Sequence, residues 1–115
     1  MTLTMLSKPE MKDCINDCDD CHGICLETVS WCLDQGGEYA SRVVVTLLQD
    51  AAEIAQASAN FMIRDSDLHA FTCGATAAIA ERCADMCERM ADQAQMQACA
   101  NACRRCAGSC RAMSA

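Results

Sequence analysis

The sequence of 115 residues carries a formal net charge of −7, and its residues are 52% hydrophobic but only 3% aromatic. The high apolar content and the single proline argue against disorder, and the length predicts one domain over residues 1–115. No apolar run approaches the ~20 residues of a membrane-spanning helix, and the acidic charge argues against nucleic acid or an anionic membrane as a partner.

The first predicted helix has a clear start and a clear end. Ser7 can cap it, Pro9 suits its first turn, and Glu10 completes a capping box. The pair Gly36–Gly37 ends it, because glycine readily takes the left-handed backbone conformation that follows a helix.

The remaining turn and capping residues define three further helices. Residues 64–67 form a turn with capping side chains, and Asp92 with Gln95 three residues later resembles a second capping box. The predicted helices span about residues 8–35, 38–63, 67–90 and 93–113. Four long helices joined by short turns predict an all-α fold, an antiparallel up-down-up-down four-helix bundle.

The twelve cysteines recur at helical spacing. Steps of 4, 3, 4 and 7 residues separate them in the first helix, and steps of 4, 3 and 4 separate them in the fourth. At about 100° per residue, each set falls within an arc of roughly 60°. The third helix has three cysteines on one face, and the second has none. The candidate metal ligands are Cys14, Cys18, Cys21, Cys25, Cys32, Cys73, Cys83, Cys87, Cys99, Cys103, Cys106 and Cys110.

This arc is the face that a bundle helix turns towards the core, so we expect a core lined by cysteine. The opposite faces of the first and fourth helices are polar and comprise Asn16, Asp20, Glu27, Asp34, Asn101, Arg104, Arg105 and Arg111. Because the first and fourth helices would be antiparallel neighbours, the 4-3-4 pattern predicts facing thiols. The expected pairs are Cys14 with Cys110, Cys18 with Cys106, Cys21 with Cys103, and Cys25 with Cys99. Cys73 should join the lower end of this column, and Cys32, Cys83 and Cys87 the upper end.

The N-terminus lacks the basic start, the apolar core and the cleavage site of a secretory signal. We therefore expect a cytoplasmic protein, in a compartment that keeps thiols reduced. Under reducing conditions, this cysteine content indicates metal binding. Thiols packed as small apolar side chains and cross-helix disulfides are the two alternatives without a metal.

Soft thiolates select Cu(I), zinc or iron–sulfur clusters. Iron–sulfur sites usually use cysteines on loops, whereas the close pairs here lie inside predicted helices. Zinc prefers isolated groups of four ligands, and the cysteines along the helices show no separation into groups of four. Zinc nevertheless remains an alternative metal. Cu(I) accepts two or three thiolates and bridging sulfur. If every thiolate bridges two Cu(I) ions, one metal per cysteine makes the interior neutral, which avoids the cost of buried charge.

The segments Cys14–Cys25 and Cys99–Cys110, together with Leu47–Ala55 and Ser58–Met62, resemble the cytosolic branch of the Cys-rich four-helix-bundle copper storage proteins. The resemblance covers nearly the whole chain. It implies several Cu(I) ions per chain, held inside the bundle by core cysteines for storage or detoxification. It also implies a homo-oligomer, often a tetramer. A copper chaperone or a low-molecular-weight thiol is the expected delivery partner.

The chain departs from this family at one side of the core. Ala51 and Ala55 in the second helix, and Thr76 and Ala80 in the third, stand where related sequences commonly carry cysteine, and Ser58 is likewise not a thiol. The departure implies a smaller copper load.

Histidine and methionine supply weaker ligand candidates. His22 lies at the margin of the cysteine stripe, Met62 lies on the core face of the second helix, and Met113 extends the stripe of the fourth. For His69 we expect a hydrogen bond at a helix end, and the other methionines are interpreted as packing or surface residues.

The predicted outer side of the second helix carries Val45, Ala52, Ala59 and Ile63, and such an apolar stripe favours a homo-oligomer. No Gly-rich phosphate loop and no nucleophile paired with a base are found, so no enzyme is expected. A thiol-based redox protein, a zinc-binding bundle and a metal-free structural bundle are the alternative functions.

Overall fold

The computed structural model describes residues 9–114, and these fold into four α-helices and one short 3-10 helix. The helices are α1 (Pro9–Gln35), α2 (Arg42–Ile63), α3 (His69–Glu88) and α4 (Ala94–Met113), and the 3-10 helix is Gly37–Ala40. Residues 9–114 contain no strand, which confirms the all-α prediction. Ser7, the predicted cap of the first helix, lies outside the described residues.

Consecutive helices pack side by side, and α1 also packs against α4, which closes the ring of four. The result is the predicted up-down-up-down bundle, with extents of 51 × 20 × 20 Å. We call the end where α1 begins and α4 ends the lower end, and the opposite end the upper end. Among residues 9–114, no helix has both the length and the hydropathy of a membrane-spanning segment.

The junction between α1 and α2 is longer than the sequence predicts. Gly36 and Gly37 have φ angles of 72° and 58°, so glycine ends α1 as expected. The chain then forms the 3-10 helix, in which Tyr39 packs edge-on against Trp31 with ring centroids 5.0 Å apart. The α-helix restarts only after Ser41, whose Oγ accepts a hydrogen bond from the Val44 amide at 3.4 Å. This serine cap places the start of α2 at Arg42, four residues beyond the predicted start.

The second predicted capping box does not form. Gln93 occupies the N-cap position of α4 and makes no side-chain capping bond. The Gln95 side chain instead reaches across to α1 and donates to Thr28 Oγ1 at 2.9 Å. Because Thr28 is fully buried, this bond satisfies a hydroxyl in the core rather than the end of a helix.

Helix α3 begins at His69, two residues later than predicted, because the preceding turn extends to Leu68. Asp65 takes the left-handed conformation with a φ of 57°, which sets the direction of this turn. His69 Nδ1 lies 2.9 Å from the Ser66 carbonyl oxygen, in agreement with the predicted hydrogen-bonding role at the helix end.

The rotation of α2 differs from the prediction. Ala52 and Ala59, expected on an exposed stripe, are fully buried, whereas Val45 of that stripe is partly buried and Ile63 is exposed. Each bundle helix packs against two neighbours, so its buried arc is wider than a single stripe. The predicted exposed stripe on α2 is therefore wrong at Ala52 and Ala59.

The outer surfaces of α3 and α4 are joined by ion pairs. The Arg104 guanidinium lies 2.6 Å from both Asp85 and Glu88, and Arg111 pairs with Glu81. The Arg104 guanidinium lowers the pKa of Glu88. These side chains are about half exposed, so each pair contributes little to stability.

Candidate metal centre

All twelve cysteines are fully buried, and all are free thiols. The polar residues predicted on the opposite faces of α1 and α4 are exposed. The inward orientation that the spacing predicts is therefore what the structure shows. Few large side chains share this interior, and the largest that are fully buried are Leu48, Met62 and Met96.

The eight cysteines that face one another across α1 and α4 form a continuous column, which we call the sulfur ladder. Its rungs are Cys14–Cys110 at 3.5 Å, Cys18–Cys106 at 3.8 Å, Cys21–Cys103 at 3.8 Å and Cys25–Cys99 at 3.8 Å between Sγ atoms. Diagonal contacts connect the rungs, such as Cys18 to Cys110 at 3.4 Å and Cys25 to Cys103 at 3.7 Å. All four predicted pairs are present, because the antiparallel packing brings the two 4-3-4 patterns into register.

Two groups of thiols converge closely enough to share a metal ion. The four-thiol cluster comprises Cys25, Cys83, Cys99 and Cys103, and the three-thiol cluster comprises Cys14, Cys18 and Cys110. Within each cluster the Sγ atoms all lie within 4.8 Å of one another. Cys83, which α3 contributes, joins the Cys25–Cys99 rung and Cys103 in a group with ligands from three helices.

The remaining thiols take the predicted positions at the two ends. At the lower end, Cys73 Sγ lies 3.2 Å from Ser58 Oγ and 3.8 Å from Met62 Sδ. At the upper end, Cys87 faces Cys83 and Cys99, and Cys32 Sγ lies 3.9 Å from the Met96 thioether. Both ends of the ladder therefore include a thiol in contact with methionine sulfur.

The thiols at the upper end of the sulfur ladder share hydrogen bonds with Cys83 and Cys87 of α3. These contacts lower the pKa of some thiols and raise the pKa of others. Contacts from Cys103, Cys25 and Cys87 lower the pKa of Cys83 to about 6. Contacts from Cys103, Cys25, Cys83 and Cys87 likewise lower the pKa of Cys99. Their partners are shifted the other way, because Cys103 and Cys21, followed by Cys83, Cys99 and burial, raise the pKa of Cys25. Metal uptake by this network must displace the protons of the thiols.

Cys32 and Cys73, at the two ends of the ladder, both have raised pKa values, but for different reasons. Burial, followed by the charge of Cys99, raises the pKa of Cys32. The contact with Cys110 lowers the pKa of Cys73, but the contact with Cys14 and burial outweigh it, so this pKa rises to about 11.

One side of the core carries no thiol, and we call it the ligand-poor side (Ala51, Ala55, Thr76 and Ala80). All four residues are fully buried, as Cys would be at these positions. Thr76 Oγ1 lies 2.8 Å from the Thr72 carbonyl oxygen and 3.2 Å from that of Ile54. Its hydroxyl is thus satisfied by backbone, so this side fills space without offering a soft ligand.

The weaker ligand candidates lie in different surroundings. His22 is half-buried, and its Nδ1 lies 2.9 Å from the Ala52 carbonyl oxygen on α2, outside both thiol clusters. Met62 is fully buried beside Cys73, and Met113 is partly buried against the core at the lower end. Met62 therefore has the soft neighbour that a ligand role requires, and His22 is held by backbone.

Met96, predicted from the sequence to be a packing or surface residue, lies fully buried beside Cys32. A signal was present, because Met96 precedes Cys99 by three residues and continues the 4-3-4 stripe of α4 towards the upper end. Met11 likewise precedes Cys14 by three residues and is buried. Each cysteine stripe thus has methionine at an end.

Residues 7–115 match the sequence family described as copper storage protein. No curated protein sequence matches the chain significantly. Among solved structures, a protein from Nitrosospira multiformis is 34% identical with a TM-score of 0.87, covering 92% of this chain and 95% of that one. The Cu(I)-bound Bacillus subtilis copper storage protein BsCsp3 is 31% identical with a TM-score of 0.86, covering 92% and 99%. A cytosolic copper storage protein from Streptomyces lividans with five coppers, 24% identical with a TM-score of 0.79 and covering 92% of each chain, shares the fold.

Proposed function

Because the chain belongs to the copper storage protein family, we propose that it binds several Cu(I) ions through core thiolates and stores or detoxifies copper in the cytoplasm. The family resemblance predicted from the two cysteine motifs is thereby confirmed. The observation that carries the proposal is the sulfur ladder, in which neighbouring Sγ atoms lie 3.4–4.0 Å apart in a fully buried column. Such a column suits a soft monovalent ion that accepts two or three bridging thiolates.

We propose all twelve cysteines as ligands, with Met62, Met113 and His22 as weaker candidates. Burial supports Cu(I) over metals of higher charge, because one Cu(I) per bridging thiolate leaves the interior neutral. A filled chain should approach one copper per cysteine. The ligand-poor side lowers this load relative to a bundle with thiols on all four helices.

The protein acts by binding and not by catalysis in this proposal. Copper enters and leaves as cargo, and exchange of thiol protons for Cu(I) is the chemistry that the core supports. A copper chaperone or a low-molecular-weight thiol supplies the metal, since free Cu(I) would react with any accessible thiol.

We further propose a homo-oligomer, with the tetramer of the family as the expected form. Several large apolar side chains support it by remaining exposed, among them Leu33 at 57%, Val43 at 71% and Phe71 at 78%. Sedimentation at micromolar concentration should give a mass well above 12.4 kDa. A clean monomer would contradict this part of the proposal.

The decisive experiment is an anaerobic Cu(I) titration of the fully reduced protein against a competing chromogenic chelator, with thiols counted before and after. We expect tight uptake of several Cu(I) ions, near one per cysteine, with loss of thiol reactivity. If the chelator retains the copper, copper storage is wrong, and a redox or purely structural bundle is favoured.

A further inference from the structure

The four-thiol cluster differs from the rest of the sulfur ladder in the number of helices that supply it. Cys25 comes from α1, Cys83 from α3, and Cys99 and Cys103 from α4. Elsewhere along the ladder, thiols face one another mainly across α1 and α4. The spacing of cysteines along a single helix does not bring four thiols to one point, but the packing of three helices does.

The separations within this cluster fit a single tetrahedral ion. Cys25 Sγ lies 3.8 Å from Cys99 Sγ and 3.7 Å from Cys103 Sγ, and all four Sγ atoms lie within 4.8 Å of one another. Four sulfurs at about 2.3 Å from a central zinc ion are separated by edges of about 3.8 Å. The reduced, metal-free packing therefore already approaches the dimensions of a zinc tetrathiolate.

The three-thiol cluster does not offer the same arrangement. Its members are Cys14, Cys18 and Cys110, and the nearby thiol of Cys73 is 3.2 Å from Ser58 Oγ and 3.8 Å from Met62 Sδ. A tetrahedral ion there would need Cys73 to leave these contacts. The two clusters thus provide an internal comparison between a complete and an incomplete set of four thiols.

We propose that the four-thiol cluster binds one Zn²⁺ ion per chain when copper is absent. Each of the four thiols gives up its proton to solvent and binds as thiolate, with no change of oxidation state. The ion joins α1, α3 and α4 and makes the four sulfurs unavailable to oxidants. This inference does not rest on copper storage, because it needs only the four thiols in their copper-free arrangement.

Charge sets the order in which the two metals occupy the core. A zinc tetrathiolate leaves two negative charges inside the bundle, whereas bridging thiolates matched by Cu(I) leave none. Cu(I) should therefore displace the zinc as the core fills. The zinc site protects and orders the upper ladder only until copper arrives.

The test is an anaerobic titration of the reduced, copper-free full chain with Co²⁺, a visible probe for tetrahedral zinc sites, followed by Zn²⁺. We expect one Co²⁺ per chain, with the visible absorption of a tetrahedral ion and a sulfur-to-cobalt charge-transfer band. One equivalent of Zn²⁺ should abolish both signals. A spectrum of six-coordinate Co²⁺, or no sulfur-to-cobalt band, would overturn the proposal.

Matched serine variants locate the site. Cys99→Ser should weaken Zn²⁺ binding at least tenfold and remove the tetrathiolate spectrum, whereas Ala55→Ser, at an equally buried core position that carries no thiol, should leave both unchanged. Equal loss in the two variants would refute the assignment, provided that circular dichroism shows both folded. X-ray absorption of the zinc-loaded wild-type chain gives an answer without a variant, since fewer than four sulfur neighbours would reject the site.

The copper titration on the same preparation separates the two proposals. Zinc binding without copper uptake would support the zinc site and contradict copper storage. Copper uptake without a tetrathiolate spectrum would contradict only the proposed zinc site. In the combined experiment, Cu(I) added to the zinc-loaded chain should release one Zn²⁺, which a zinc indicator measures.

Discussion

The two sides of the bundle core are equally buried but chemically unlike. The sulfur ladder places eight thiols between α1 and α4, whereas the ligand-poor side places Ala51, Ala55, Thr76 and Ala80 on α2 and α3. Alanine and threonine fill this side without a buried unsatisfied side-chain polar atom among the residues that the structure describes. A four-helix bundle of this size therefore packs without a thiol at every core position. The ladder has to be explained by the chemistry of sulfur rather than by packing.

The largest effect should follow from removing one half of the ladder. Replacing the four cysteines of α4 by serine leaves the α1 thiols without partners across the core, so we expect Cu(I) capacity to fall to well under half of the wild-type value. The chelator titration measures it. Serine at Ala51 and Ala55 is the matched control on the ligand-poor side, and it should leave capacity unchanged. Similar losses in both variants would show that serine disturbs the core and that the two sides do not differ in function.

The comparison can also be tested in the opposite direction, by adding a thiol to the ligand-poor side. Ala80→Cys places a thiol at a fully buried core position, so we expect capacity to rise by about one Cu(I) per chain. Ala78→Cys adds a thiol two residues away on the same helix at an exposed position and should not raise the capacity for chelator-resistant copper. An equal gain in both variants would mean that any added thiol binds copper, whichever way it faces.

A smaller effect concerns stability at alkaline pH. The pKa of Cys73 is raised from an ordinary 9.0 to about 11, so the folded state favours the protonated thiol. This contribution is fully present below pH 9.0, where the unfolded thiol is also protonated, and it is lost as pH rises towards about 11. We expect the reduced, metal-free protein to lose about 2–3 kcal/mol from this group over that range, measured by urea unfolding. Cys73→Ser should reduce the slope, and an unchanged slope would contradict the assignment.

The smallest effect should follow from a change on the outer face of α4, the helix that carries half of the sulfur ladder. Arg104→Ala removes the exposed contacts with Asp85 and Glu88, and we expect only a small loss of stability in urea unfolding, because solvent screens these pairs. Copper capacity should not change, because the guanidinium lies on the opposite face from the thiols. A fall in capacity would show that the charged exterior also contributes to metal uptake.

The architecture and the ladder could be predicted because they depend on local periodicity. A spacing of 4, 3 and 4 residues keeps cysteines such as Cys99 and Cys103 on one face, and antiparallel neighbours bring two such patterns into register. The rotation of α2 could not be read in the same way. Its sequence is rich in alanine, which suits a core or an interface equally, so Ala52 and Ala59 gave no signal of the face that they occupy.

The four-thiol cluster lies beyond what spacing can predict. Its assembly depends on the height of Cys83 on α3 relative to α1 and α4, which spacing within one helix does not set. The sequence suggested capping of α4 by Asp92, but Gln95 satisfies buried Thr28 instead. Packing between helices decided both features.

The contact between Cys14 and Cys110 joins residues 96 positions apart, so a metal ion bridging them closes nearly the whole chain into a ring. A covalent link across a loop of about 100 residues removes chain entropy from the unfolded ensemble worth roughly 4–5 kcal/mol. Metal bound at the lower end would restrict the unfolded chain in the same sense. The cargo would then act as a topological clasp, which retains the chain ends side by side even while α2, which contributes no thiol, separates from the bundle.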